Sequence, residues 1–170
     1  MDARKNALIY VVEDNKIYNR LVCEYLKKQK YTNVKSFLSG KECIKQVSNG
    51  EHPDIVIQDY HLDDSNGIEV LKSVKKFSNK SEFVFLTAND SMEIAVNTIK
   101  FGAFDYIIKD NDIALRKVVS KIEKISRLLD LQKRNESIKK AMVFSIMVLI
   151  LIVIFAVLHV FFDAFESFHL

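Results

Sequence analysis

The chain has 170 residues, room for one domain of ordinary size and an appendage. Its 49% apolar and 11% aromatic content excludes a disordered chain, and one proline with four glycines excludes collagen-like or Pro-rich architecture. The net charge of +3 averages unlike blocks: residues 1–112 carry 16 Lys/Arg against 17 Asp/Glu, residues 113–140 carry 9 against 3, and residues 141–170 carry none against 2.

Residues 8–12 form a continuous apolar run that exits into Glu13 and Asp14, and Ile17, Leu21, Val22 and Tyr25 follow at helical spacing. Residues 34–37 make a weaker strand suited to a sheet edge, ahead of a short helix holding Ile44 and Val47. The run 55–57 leads to Asp59 and then to a stripe of Ile68, Leu71, Val74 and Phe77. Residues 83–86 run into Thr87; Met92, Ala95, Val96 and Ile99 then keep i, i+3, i+4, i+7 spacing, with Asp90 and Glu93 as a capping box. Residues 106–108 run into Lys109. Continuous runs, as opposed to alternating ones, suit strands covered on both faces. Five such strands alternating with helices predict an α/β fold, a doubly wound five-stranded parallel sheet.

Residues 112–140 contain neither Pro nor Gly, and Leu115, Val118, Ile122, Ile125 and Leu129 keep 3-4-3-4 spacing, which predicts a helix packing one stripe on the sheet. The pattern lapses at Gln132 and Glu136, too early for a coiled-coil seam. Residues 131–140 form a basic helical linker. Residues 141–162 are then 22 uncharged residues interrupted only by Ser145 and His159, about 33 Å of helix against a hydrocarbon core of about 30 Å. A core helix apolar on every face would need protein all round it, so a transmembrane helix is expected. Lys133, Arg134, Lys139 and Lys140 precede the run, and only Asp163 and Glu166 follow it. The basic side is therefore expected in the cytoplasm and the tail 163–170 outside. Cys23 and Cys43, with no CxxC and no clustered His, read as buried thiols in a reducing compartment. No second globular segment or helix-turn-helix follows, so no nucleic-acid partner is expected.

In open α/β sheets the ligand site lies beyond the carboxyl ends of the strands. Those ends carry Glu13, Asp14, Asp59, Thr87 and Lys109. Singly each has a plain explanation: Asp14 as a helix cap, Thr87 as a turn residue, Lys109 as a solvated charge. Together, three carboxylates repel one another unless a cation joins them, and hard oxygen donors suit Mg²⁺. A metal-bound carboxylate beside an ammonium and a hydroxyl is equipped to attack a phosphoryl group and form an aspartyl phosphate.

These residues resemble the response-regulator receiver family of two-component signalling over about residues 6–130. Glu13-Asp14 stands where the family keeps its acidic pair. The segment 53–59 matches the strand that ends in the phosphoacceptor, with Gly67 eight residues beyond, and 101–109 matches the family's last strand. The resemblance implies a flavodoxin-like receiver fold in which Asp59 is phosphorylated. It also implies Mg²⁺ held by Glu13, Asp14, Asp59 and the backbone carbonyl of His61, Thr87 and Lys109 as phosphoryl ligands, and Tyr106 as the switch aromatic. Two positions depart from it: Asp63 and Asp110 replace the usual prolines. A cis bond before a non-proline costs about 3 kcal/mol, so a trans Lys109–Asp110 bond and a slightly re-aimed Lys109 are expected. Asp63, Asp64 and Asp110 are expected in solvent.

The expected organisation is a receiver domain at 1–130, a linker at 131–140, a membrane helix at 141–162 and a short exported tail. The expected protein is a membrane-tethered, single-domain response regulator: a phosphoacceptor signalling domain and not an enzyme beyond self-catalysed phosphotransfer and dephosphorylation. Its expected partners are a histidine kinase or histidine phosphotransfer protein, a protein target near the membrane, the lipid bilayer, and a second copy in a homodimer. The alternative is a membrane scaffold with a receiver fold that is not phosphorylated. A haloacid-type phosphatase is disfavoured, because Asp59-Tyr60-His61-Leu62 lacks the second aspartate two residues on.

Overall fold

A computed structural model describes residues 3–110 and 112–167, with side-chain surroundings for all of these except 3, 4, 112 and 159–167. After a 3-10 turn at Ala3–Asn6 the elements are β1 (Ile9–Val12), α1 (Lys16–Lys28), β2 (Val34–Phe37), α2 (Gly40–Ser48), β3 (Ile55–Gln58), the two-residue strands β4 (His61–Leu62) and β5 (Ser65–Asn66), α3 (Gly67–Phe77), β6 (Glu82–Thr87), α4 (Met92–Lys100), β7 (Asp105–Ile108) and α5 (Asp112–Ser167). The chain divides into two units, Met1–Arg127 and Leu128–Leu170.

In the first unit β2, β1, β3, β6 and β7 form, in that order, one parallel five-stranded sheet, and β4 and β5 pair as a small antiparallel hairpin. This is the doubly wound sheet expected from the apolar runs. Every side chain of β1 and β3 is buried, as continuous runs require, whereas β2 at the edge has none fully buried. The order reverses at β1, so β1 and β3 lie side by side where their chains leave the sheet in opposite directions. That switch point is where such sheets hold ligands.

The helices differ in how well their apolar spacing reports their buried face. On α5, Leu115, Val118, Ile122 and Ile125 are buried, as the spacing predicts. On α3 the buried face is Val70, Leu71 and Val74, with Phe77 left exposed. On α1 the expected stripe is rotated: Ile17 is 83% exposed, while Asn19, Val22 and Leu26 are buried. Asn19 is tolerated there because its Nδ2 donates to the carbonyls of Glu13 and Phe37, 3.0 Å each, tying β1 to β2. On α4 the expected stripe faces outward, with Met92 77% exposed, Val96 and Ile99 exposed and Thr98 alone buried. This helix packs beside the edge strand β7, where the sheet offers less surface to cover. Its cap is Ser91, which accepts from the Ile94 N–H, and not the expected Asp90. Both cysteines are free, Cys43 buried and Cys23 half-buried.

In the second unit the apolar stretch of α5 is a candidate transmembrane helix: it is long and apolar enough to cross a bilayer, and none of its described side chains from 141 to 158 is buried. The side chains of His159, Asp163 and Glu166 and residues 168–170 of the expected tail lie outside the described residues.

Candidate functional site

The parallel ladder continues one residue beyond the strands and aligns the site backbone. The Asp59 N–H donates to the Val12 carbonyl at 3.0 Å, Glu13 to Phe37 at 3.1 Å, and Lys109 to Thr87 at 2.8 Å. Glu13, Asp59 and Thr87 are buried at 4%, 9% and 1% exposure, and Asp14 is half-buried. Glu13, Asp14 and Asp59 each offer a carboxylate oxygen, and these three atoms lie within 4.8 Å of one another. Two direct ligands of an octahedral Mg²⁺ stand at most about 4.2 Å apart, so the set fits one cation with a carboxylate reached through water.

Lys109 completes the cluster. Its Nζ donates to Glu13 Oε2 and to Asp59 Oδ2, 2.5 Å each. Burial pushes the Glu13 carboxyl above its ordinary value and the Asp59 charge adds to this, against the pull of the Lys109 ammonium. The Lys109–Asp110 bond is trans, as expected. The ammonium nevertheless reaches both carboxylates, and Asp110 lies outward beside Lys117 at 3.6 Å.

Gly67 keeps the loop after Asp59 close to the sheet. A Cβ there would stand 2.7 Å from Phe85 Cε1 and 3.0 Å from the Asp59 carbonyl, so nothing larger fits. The Gly67 N–H donates to the Tyr60 carbonyl at 2.8 Å, and its own carbonyl accepts from Gln58 Nε2 at 2.9 Å. The His61 N–H lies 3.4 Å from Asp59 Oδ1.

Three participants have no signature in the sequence. The Tyr18 ring lies 4.5 Å from Lys109 Nζ, and burial, followed by the charges of Glu13, Asp59 and Asp110, pushes its hydroxyl up to about 12. Asn89 joins three sequence-predicted residues: its carbonyl accepts from the Tyr106 hydroxyl at 2.5 Å, its Nδ2 lies 3.1 Å from His61 Nε2, and its N–H donates to Thr87 Oγ1 at 3.3 Å. Asp64, expected in solvent, is half-buried and accepts from Ser39, Gly40 and Lys41 at the start of α2. It is held because four donors converge on it, these three and the Ser65 hydroxyl, among them backbone N–H groups that no intrahelical carbonyl satisfies. Asp63 is exposed, yet its N–H donates to Asp14 Oδ2 at 2.9 Å.

A parallel β2-β1-β3-β6-β7 sheet with an acidic cluster and a lysine at its switch point defines a phosphoryl-accepting signalling domain. The response regulator receiver domain family matches residues 9–123, and the chain belongs to it. The regulatory protein AtoC of Escherichia coli is 31% identical over 88 residues, which are 52% of this chain and 18% of AtoC. The transcriptional regulatory protein CssR of Bacillus subtilis is 28% identical over 121 residues, 71% of this chain and 52% of CssR. Among solved structures, the BeF3-activated DrrB receiver domain superposes with a TM-score of 0.62 at 25% identity, covering 71% of this chain and 97% of that one. The chain thus spans about half or less of the length of these curated relatives. It carries the receiver domain of a two-component response regulator, a kind of domain that is phosphorylatable on aspartate; receiver domains as a family bind Mg²⁺ through an acidic pocket, and Glu13, Asp14 and Asp59 form such a pocket here.

Proposed function

We propose that this chain is a membrane-tethered response regulator that takes its phosphoryl group on Asp59. The observation that carries this reading is the convergence of Asp59 with Glu13, Asp14 and Lys109 at the switch point. A bound Mg²⁺ would lower the repulsion between the incoming phosphoryl oxygens and the carboxylates. Glu13, Asp14, Asp59 and the His61 carbonyl would hold it. An Asp59 oxygen forms the new O–P bond as the P–N bond of a donor phosphohistidine breaks, and the imidazole leaves with the electron pair. Lys109 then exchanges its Asp59 contact for a phosphoryl oxygen, and the Thr87 hydroxyl, which here accepts from the Asn89 N–H, donates to another. Movement of Thr87 pulls on Asn89 and so on Tyr106, whose ring changes the surface offered to a protein target.

The apolar stretch at 141–162 is the anchor in this reading. The basic residues before it keep the receiver in the cytoplasm and place the C-terminal end outside. Tethering raises the effective concentration of membrane-proximal partners without new contacts. A second copy is a further partner.

Incubating the full chain in detergent with acetyl phosphate and Mg²⁺ tests the chemistry. An acid-stable, base-labile adduct absent from Asp59→Asn is expected, and its absence from the wild type returns the scaffold reading. Reporter fusion after residue 170 tests the topology, and a cytoplasmic reporter would refute it.

A further inference from the structure

We infer that the Asp63–Asp64 pair is a positioning device that orients the Asp14 carboxylate and ties it to the first turn of α2. The inference rests on Glu13, Asp14 and Asp59 being the Mg²⁺ site.

Asp63 and Asp64 are the two turn residues of the β4–β5 hairpin, whose register is His61 to Asn66 and Leu62 to Ser65. Both Asp64 oxygens are occupied. Oδ2 accepts from the Ser39 hydroxyl at 2.7 Å and the Lys41 N–H at 3.0 Å; Oδ1 accepts from the Gly40 N–H at 3.0 Å and the Ser65 hydroxyl at 3.1 Å. Two of these donors are first-turn amides of α2, which have no intrahelical partner and present the positive end of the helix to a carboxylate. The packing agrees. A Cβ on Gly40 would stand 2.2 Å from Ser65 Oγ and 2.6 Å from Val70 Cγ2, so the hairpin sits directly on the helix start with no room for a side chain between them.

Once Asp64 is clamped, the hairpin turn that it shares with Asp63 is held as well. The Asp63 N–H, in the Leu62–Asp63 peptide, donates to Asp14 Oδ2 at 2.9 Å across 49 residues of sequence. A carboxylate with one oxygen held in this way no longer rotates freely, so less order remains to be imposed when a cation arrives. Hydrogen bonds behind metal-ligating carboxylates are worth about 10–100-fold in metal affinity. The exposed Asp63 carboxylate takes no part; its peptide N–H does. A proline at this position has no such donor.

The test separates the N–H from the charge. Mg²⁺ dissociation constants are measured by calorimetry on the full chain in detergent, for wild type, Asp63→Ala, Asp63→Pro, Asp64→Ala and Asp64→Asn, with far-UV circular dichroism confirming the fold of each. Asp63→Ala keeps the donor and is expected within about twofold of wild type, as for a screened surface charge. Asp63→Pro and Asp64→Ala are expected to weaken binding by about tenfold, with Asp64→Asn, which retains one acceptor oxygen, in between. Equal weakening by Asp63→Ala and Asp63→Pro, or none by Asp64→Ala, overturns the inference. Amide exchange at Asp63, followed by NMR without metal, stands independently of the metal reading. A wild type that binds no Mg²⁺ refutes the metal site, and faster Asp63 exchange in Asp64→Ala would still establish the clamp. Unchanged exchange would refute the clamp itself.

Discussion

The Lys109 ammonium is held between two carboxylates and also lies 4.5 Å from the centre of the Tyr18 ring. Ring and carboxylates reach it from different elements, so Tyr18 limits where the ammonium goes once Asp59 gives up its contact. A cation over an aromatic face is worth about 1 kcal/mol at a partly desolvated site, or about fivefold in rate. Tyr18→Leu is expected to slow phosphorylation of Asp59 from acetyl phosphate by about that factor, whereas Tyr18→Phe keeps the ring and the rate. Equal rates for the Leu and Phe variants would remove Tyr18 from the site.

Gly67 is confined by Phe85, which is fully buried, and by the backbone of Asp59. Neither yields cheaply, so Gly67→Ala is expected to cost about 1–3 kcal/mol by overpacking, read as a lower urea midpoint at unchanged slope. Phosphorylation should fall as well, because one of the atoms crowded is the backbone carbonyl of Asp59.

Helix α1 ends in a left-handed residue that is not glycine. Lys30 has φ 68°, its N–H donates to the Lys27 carbonyl, and the next N–H, of Tyr31, reaches back to Leu26. An L side chain in that conformation costs about 1 kcal/mol, so Lys30→Gly is expected to stabilise the fold by roughly that amount in urea denaturation.

Acid should weaken the domain through Glu51. Hydrogen bonds from Lys35, Tyr10 and Gln46 hold its carboxyl at about 2, below the ordinary 4.5. A depressed carboxyl contributes stability that is complete above its unfolded value and is lost as pH falls through the folded one, here between about 4.5 and 2. Asp64 behaves alike. Burial would raise it, but the Ser39 hydroxyl, the Lys41 and Gly40 amides and the Ser65 hydroxyl together bring it to about 2. Urea midpoints across this interval should drop less steeply in Glu51→Gln than in wild type. Parallel slopes would show that Glu51 is not among the groups responsible.

The central strands and the strand-end residues are legible in the sequence for one reason: a strand buried on both faces is apolar along its run, and the polar or charged residues that follow the run mark where it leaves the sheet. Helix faces are less legible. Ile17, Met92 and Val96 match a helical stripe yet face outward, while Asn19 and Thr98 are polar yet buried, because each donates to backbone carbonyls, Asn19 to Glu13 and Phe37 and Thr98 to Ala95. Tyr18, Asn89 and Asp64 escape notice because their partners are distant in the chain. Asp64 and Ser39 lie 25 residues apart, and only the hairpin seated on α2 brings them together.

Helix α4 lies between Thr87 and Tyr106 and keeps only Thr98 fully out of water, where α1 and α2 each bury three residues and α3 four. Releasing it uncovers little apolar surface that is not already wet. Among the described helices of the first unit it is therefore the one expected to open at the lowest free energy, and its amides should exchange before those of α1, α2 and α3 while the sheet remains closed.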